Sequence, residues 1–290
     1  MNPRYLLEKL VTGLFYILPH HLISRIVLWL SHSEKRWLSR LLIGAYTRLF
    51  TLNMNEALEP SLSAYPSLNA LFTRALAPDA RPLAEPETML VSPADGAISE
   101  IGHLDNDRLL QAKGYHYSLQ ALFAGHDELA RPFIDGEFAT IYLSPRDYHR
   151  LHMPVAGRLT DMIYIPGRLF SVSPMTTRTI PRIFTRNERL VCLFDSDIGR
   201  LALVMVGAIN VSAMETVWAG LVTPPPGKTP RLSRYAPPIA LERGAEMGRF
   251  NMGSTIIVLT EKSRVDWLAE LTPGRSIRMG EGLGATQASA

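Results

Sequence analysis

The chain has 290 residues, 47% of them apolar and 20% charged, a composition that excludes an intrinsically disordered chain and suffices for a sizeable core. A net charge of +3, with no basic stripe interleaved with stacking aromatics, excludes a dedicated nucleic-acid binder. The single Cys192 excludes an intrachain disulfide and any multi-cysteine metal site; its apolar setting, "RLVCLFDS", reads as a buried strand position, in keeping with a reducing compartment.

Residues 1–55 read as helices. Asn2 can cap, Pro3 suits the first helical position, and Leu6, Leu7, Leu10, Val11, Leu14, Phe15 and Leu18 recur at helical spacing. Pro19 ends that segment, residues 22–30 form a second apolar run, and Ser33 can cap a third helix carrying Trp37, Leu38, Leu41, Leu42, Ala45 and Leu49. The first fifty residues hold seven basic and two acidic side chains, while the remainder is close to neutral. No run reaches the roughly 18–20 apolar residues of a membrane-spanning helix. The pattern suits helices lying in an anionic membrane surface, with Trp29, Trp37 and Tyr46 as amphipathic anchors. A helical subdomain packed on the protein's own body is the plain alternative. No small-residue cleavage site of the kind a signal peptide carries follows the first apolar run.

From residue 56 onward, short apolar runs are punctuated by Gly, Pro, Asn and Asp: "ATIYLSP", "MIYIPG", "LVCLFDSD", "RLALVMVGAINV", "TVWAGLV" and "STIIVLT". Few intervening segments are long enough for crossover helices, so the spacing predicts a β-rich, mostly antiparallel domain and an α+β chain overall. Short helices are expected over residues 67–76 and 118–124. The stretch "TPPPGKTPRLSRYAPP", residues 223–238, reads as an exposed, mobile loop. Residues 273–284, "PGRSIRMGEGLG", read as one Gly-punctuated strand.

Three places carry chemistry. Asp95 lies in "SPADG", where an Asp-Gly pair is also an ordinary turn. His149 and His152 lie three apart in "YHRLHMP"; they can share a pocket, or be two histidines of a polar loop. No third ligand at a metal-site spacing accompanies them, so no metal is expected. Ser254 follows Gly253 in "NMGSTIIVL", directly before a β-branched run. Together these supply an acid, an imidazole and a hydroxyl, a set recognised by geometry and not by order. A Gly-x-Ser-x-Gly elbow is missing, which speaks against an α/β-hydrolase. The residues alone leave open a serine hydrolase acting at a membrane, or a non-enzymatic membrane-binding domain in which the motifs are turns.

"MGST" (252–255), "SPADG" (92–96) and "YHRLHMP" (148–154) together resemble the phosphatidylserine decarboxylases, in their bacterial-type, membrane-associated branch. "LFTR" (71–74), "KGYHYSLQALFAG" (113–125), "PGRLFSV" (166–172), "RNER" (186–189), "MVGAINV" (205–211) and "GAEMGRF" (244–250) extend the resemblance across most of the chain. Met252 replaces the family's usual Leu, a swap of similar volume and apolarity.

The resemblance implies a zymogen. Ser254 attacks the Gly253 carbonyl, with His152 as base and Asp95 orienting it. The chain divides into a beta chain, 1–253, and an alpha chain, 254–290, whose first residue becomes a pyruvoyl group. That group serves as the cofactor, in place of pyridoxal phosphate, and forms a Schiff base with phosphatidylserine, which leaves as phosphatidylethanolamine. His149 is the implied proton donor, and Tyr142 and Phe170 are candidates for lining the substrate pocket. Family resemblance further implies a homodimer, peripheral on the cytoplasmic face of a bacterial inner membrane.

Overall fold

Apolar and β-branched runs in the body build one large antiparallel sheet, and a computed structural model of the chain describes it over residues 3–112, 114–209, 213–223, 228–251 and 254–287. The helices include α1 (Pro3–Leu14), α2 (His20–Ser31), α3 (Arg36–Leu49), α4 (Leu68–Phe72) and α5 (Leu119–Leu122). The strands begin with β1 (Met89–Val91), β2 (Gly96–His103), β3 (Arg108–Ala112) and β4 (Tyr115–Ser118). They continue with β5 (Glu137–Leu143), β6 (Arg150–His152), β7 (Gly157–Ile165), β8 (Arg189–Ser196) and β9 (Gly199–Val206). Next come β10 (Met214–Thr216), β11 (Gly220–Leu221), β12 (Arg231–Leu241) and β13 (Glu246–Phe250). The last are β14 (Ser254–Thr260), β15 (Val265–Trp267), β16 (Ser276–Ile277) and β17 (Gly282–Thr286).

The eight-stranded sheet runs β12-β7-β8-β9-β14-β5-β2-β16, each neighbour antiparallel. β14 lies near its middle, between β9 and β5, and all seven of its residues are buried. Burial on both faces explains why "IIVL" reads as an unbroken apolar run and not as an alternation. The body also has a four-stranded sheet, β11-β10-β13-β6, whose β6 follows β5 and whose β13 precedes β14 in the chain, and a three-stranded one, β1-β17-β15. The fold is therefore α+β and mostly antiparallel, with the expected Cys192 buried in β8.

Several sequence expectations are corrected. The helix over 67–76 stops at Phe72, although Ser67 caps it by accepting from Ala70 N. Beyond it the chain turns extended, because Ala75 O accepts from Leu58 N and Leu76 pairs with Ala57. Tertiary pairing there outweighs helix propensity. The stretch 223–238 is not all loop. Residues from Arg231 onward form the edge strand β12, whose ladder to β7 slips between Arg234 and Ile239. The slip takes the prolines out of the ladder, and an edge is where a sheet tolerates them. Residues 273–284 divide between β16 and β17, in two different sheets. Ser118 does cap α5, accepting from Ala121 N.

In the head, Lys35 and not Ser33 is the N-cap of α3, and it makes no side-chain cap bond. Asn2 lies outside the described residues. The helices dock on the body at specific points. The His20 ring sits edge-on to Phe170 at 5.0 Å, Arg178 pairs with Glu8 at 3.2 Å, and the Tyr46 hydroxyl donates to Pro145 O. Tyr46 is therefore buried and serves as a docking residue, not as an interfacial anchor. Their other faces are bare. Leu10, Leu14 and Ile17 on and just after α1, Leu22, Ile26 and Trp29 on α2, and Trp37 and Leu41 on α3 are exposed. These fall at the three- and four-residue steps of single helix faces. Among the described residues no helix is long and apolar enough to cross a membrane.

Candidate active site

The loop from β5 to β6 carries His149, and β6 itself carries His152. Ser144 closes the loop by donating from both N and Oγ to Asp147 Oδ2, each at 2.7 Å. α4 braces it from outside, since Arg150 Nε donates to Thr73 O at 3.0 Å. His149 is buried, its ring 4.0 Å from that of Phe72. Its Nδ1 lies 2.8 Å from Asp147 O. A carbonyl can only accept, so Nδ1 carries the proton and Nε2 presents a lone pair, for which the described residues offer no partner. Burial pushes the imidazole down to about 3, so His149 is neutral near pH 7.

His152, in β6, is held at both nitrogens. Nδ1 donates to Gly244 O at 2.7 Å, and Nε2 accepts from the Tyr148 hydroxyl at 2.9 Å. Burial lowers its pKa, against the pull of the Gly244 bond. Its backbone N donates to Pro93 O at 2.9 Å, which ties β6 to the turn that presents Asp95. Gly96, at the end of that turn, admits no side chain: a Cβ there would lie 2.4 Å from Tyr142 O.

Asp95 does not bond to His152. Arg81 clamps it in two-point fashion, Nε to Oδ1 at 2.9 Å and Nη2 to Oδ2 at 2.6 Å, and Met279 N donates to Oδ1 at 2.8 Å. The structure thus brings the Asp95 turn and His152 side by side, but Asp95 acts on the ring through space. Ser254 opens β14 opposite Leu143 of β5. Its hydroxyl is fully buried and without a hydrogen-bond partner among the described residues. No hydrogen bond joins it to either histidine among those residues. Gly253 and Met252 lie outside the described residues.

The residue before that gap is gripped. Asn251 donates from N to Ala213 O at 2.9 Å and from Nδ2 to Glu215 Oε1 at 3.1 Å, and it accepts at Oδ1 from Asn69 Nδ2 at 2.9 Å. With Ser254 locked into the central sheet, both flanks of the peptide at 252–253 are anchored. A cavity of about 440 Å³ lies beside this region, lined by Asp95, Tyr142, Ser144, Asp147 and Tyr148 among others. A second, of about 300 Å³, shares Ala97, Tyr142, Pro174 and Gly274 with it and holds Glu100, whose carboxyl burial pushes up to about 7. Phe170 lines neither. It is the buried seat of the helical head, against Tyr16 and His20.

Sequence reasoning assigned no role to Tyr148, Arg81, Asn251 or the Gly244 carbonyl. Tyr148, Gly244 and Asn251 stand inside the quoted stretches, so the signal was available there. For Arg81 only the fold supplies it.

The phosphatidylserine decarboxylase family model matches residues 68–285, and a second model, described as PSD, matches residues 10–51. The chain is 55% identical over 262 residues to a phosphatidylserine decarboxylase proenzyme of Alkalilimnicola ehrlichii, covering 89% of this chain and 90% of that one. It is 50% identical over 273 residues to a protein of the same description from Pseudomonas putida, covering 93% and 95%. A third, from Ectopseudomonas mendocina, is 50% identical over 276 residues, covering 94% and 96%.

Proposed function

The chain belongs to the phosphatidylserine decarboxylase family, and from that premise we propose that it is a proenzyme that cuts itself before Ser254 and then converts phosphatidylserine to phosphatidylethanolamine. The observation that carries the reading is Ser254 itself. It is a buried hydroxyl without a hydrogen-bond partner among the described residues, at the first residue of a central strand and directly after Gly253 in the chain. Among those residues it also lacks the bond to a histidine that a hydrolase nucleophile would use, which disfavours the hydrolase alternative. It holds no hydrogen bond there that conversion to a ketone would forfeit, so the position fits a pyruvoyl group.

In this reading Ser254 Oγ bonds to the Gly253 carbonyl carbon as the peptide C–N bond breaks. His152 Nε2 takes the hydroxyl proton, Tyr148 giving way, and passes it to the departing nitrogen of residue 254; the nearby Asp95 charge favours the imidazolium that forms in between. Elimination leaves Gly253 as a carboxylate and residue 254 as dehydroalanine; addition of water and loss of ammonia give the pyruvoyl group at the head of chain 254–290. That group supplies a sink for the electrons released as CO2 departs. His149 Nε2, an unprotonated lone pair, takes a proton from the substrate's ammonium and returns it to the carbon that lost CO2. Tyr142 lines the pocket beside it.

The bare faces of α1–α3 are the membrane-facing surface in the same reading. Their exposed Leu, Ile and Trp stripes, with the basic surplus of the first fifty residues, suit the anionic, cytoplasmic leaflet of a cell membrane.

Intact mass spectrometry tests the cleavage. Two fragments split between Gly253 and Ser254 are expected, the shorter with a keto N-terminus; one uncut chain in active protein would overturn the reading. His149→Ala should still cleave yet fail to release CO2 from phosphatidylserine, whereas Ser254→Ala should do neither.

A further inference from the structure

Four arginines, Arg74, Arg81, Arg146 and Arg278, line the cavity of about 440 Å³ beside β5, together with Glu56, Asp95 and Asp147. Their pairings leave one cation over. Arg81 bridges Asp95 and Glu56, at 2.6 and 2.8 Å. Arg278 reaches Glu56 at 3.3 Å, and the exposed Arg146 faces Asp147 at 4.0 Å. Arg74, just past α4, forms no ion pair among the described residues, although it is only 5% exposed. Among the described residues its one hydrogen bond is long, Nη2 to Arg146 O at 3.4 Å, and Nε has no partner there. Burying a charge without a counter-charge is strongly unfavourable, and a fold keeps one where something else completes it.

The cavity's lining says what that is. Asp95, whose turn is tied to His152 through Pro93 O, and Tyr148, which bonds to His152 Nε2, both line it, so it adjoins the residues proposed to act on Ser254. Thr51, Asn53 and Glu56 line it too, close in the chain to the exposed Leu49 and Leu58. A phosphatidylserine headgroup entering it carries two anionic groups, a carboxylate and a phosphodiester. Pairing the carboxylate with a guanidinium would stabilise a charge that must leave that group as CO2 forms, and would slow the reaction. A phosphodiester keeps its charge throughout, and a guanidinium fork matches its oxygens.

We propose that Arg74 is the phosphodiester-binding residue of the lipid substrate, filling an otherwise unpaired buried cation in the cavity between the helical head and β5. The assignment rests on the decarboxylase reading above.

The test uses self-cleaved, full-length Arg74→Gln and Arg74→Lys beside the parent. In mixed micelles, Arg74→Gln should raise KM for phosphatidylserine roughly 10- to 100-fold, the loss of a charged hydrogen bond, with kcat within about threefold. Arg74→Lys, which keeps the charge, should recover most of that loss. By calorimetry, glycerophosphoethanolamine should bind the parent and lose affinity by a similar factor in Arg74→Gln, while ethanolamine binds both alike. An unchanged KM and an unchanged glycerophosphoethanolamine affinity in folded Arg74→Gln would overturn the proposal, as would a fall in kcat alone. Inorganic phosphate binding the parent more tightly than the diester would also overturn it, by assigning the site to free phosphate. If Arg74→Gln does not fold, Arg74→Lys decides: binding lost despite the retained charge refutes the assignment, binding kept upholds it. A parent that binds the diester through Arg74 but releases no CO2 from phosphatidylserine would sink the decarboxylase reading and leave the anion site standing.

Discussion

His149 should make the protein acid-labile in a way that one substitution removes. Its ring is buried and neutral, with burial pushing its pKa down to about 3, against about 6.5 in the unfolded chain. Below pH 6.5 the unfolded state therefore binds a proton that the folded state refuses. Stability is unaffected above that pH and falls as pH drops from 6.5 toward 3. At about 1.4 kcal/mol per pH unit, His149 should remove roughly 2 kcal/mol between pH 7 and pH 5. The measurement is urea unfolding at both pH values in a Ser254→Ala background, which keeps the chain single, with and without His149→Gln. His152, whose pKa burial also lowers, contributes equally to both proteins and cancels. The His149→Gln protein should lose about 2 kcal/mol less on acidification than its parent. Equal losses would show that burial does not hold His149 neutral between pH 7 and pH 5.

Other outcomes follow from the same contacts. Tyr148→Phe removes the hydroxyl that donates to His152 Nε2 and leaves a part-buried acceptor unsatisfied, so it should cost about 1–3 kcal/mol. Because that bond favours the neutral ring, the His152 pKa should rise in an NMR titration of the imidazole; a fall would contradict the assigned tautomer. Asn251→Ala loosens one flank of the cleavage peptide by deleting bonds to Glu215 and Asn69. Gel time courses of freshly made protein should show self-cleavage slowed, and an unaltered rate would remove Asn251 from the processing apparatus. Ile17→Glu with Trp29→Glu alters side chains that are 82% and 69% exposed. Sedimentation with anionic liposomes should drop at least tenfold, since each buried apolar side chain contributes about 1.5–3 kcal/mol, while melting stays put; full retention would rule out these faces as the membrane contact.

Local features of the site were legible early because they depend on near neighbours in the chain. Ser67 and Ser118 announce their caps, "STIIVLT" announces a strand, and the Asp-Gly pair announces the turn that presents Asp95. Tyr46 reads as an interfacial aromatic until the Pro145 carbonyl, 99 residues later, is seen to accept a hydrogen bond from its hydroxyl. Phe170 stands in a family motif, yet its neighbours are the head's Tyr16 and His20. The prolines of residues 236–238 spoke for a loop, since nothing local reveals that the chain forms an edge strand there.

The sequence by itself determined the family, the residue types of the site and the punctuated apolar runs that make a β-rich body. Side-chain chemistry and short-range periodicity are written in order along the chain. Which partner each group meets was decided only in three dimensions. Asp95 is claimed by Arg81, fourteen residues before it, and His152 by the carbonyl of Gly244 and the hydroxyl of Tyr148. Arg74 forms no ion pair among the described residues, and its Nε is left without a hydrogen-bond partner there. Hydrogen bonds and ion pairs form between groups that packing brings within about 3 Å, and that distance depends on strand order and register, neither of which any one stretch of residues encodes.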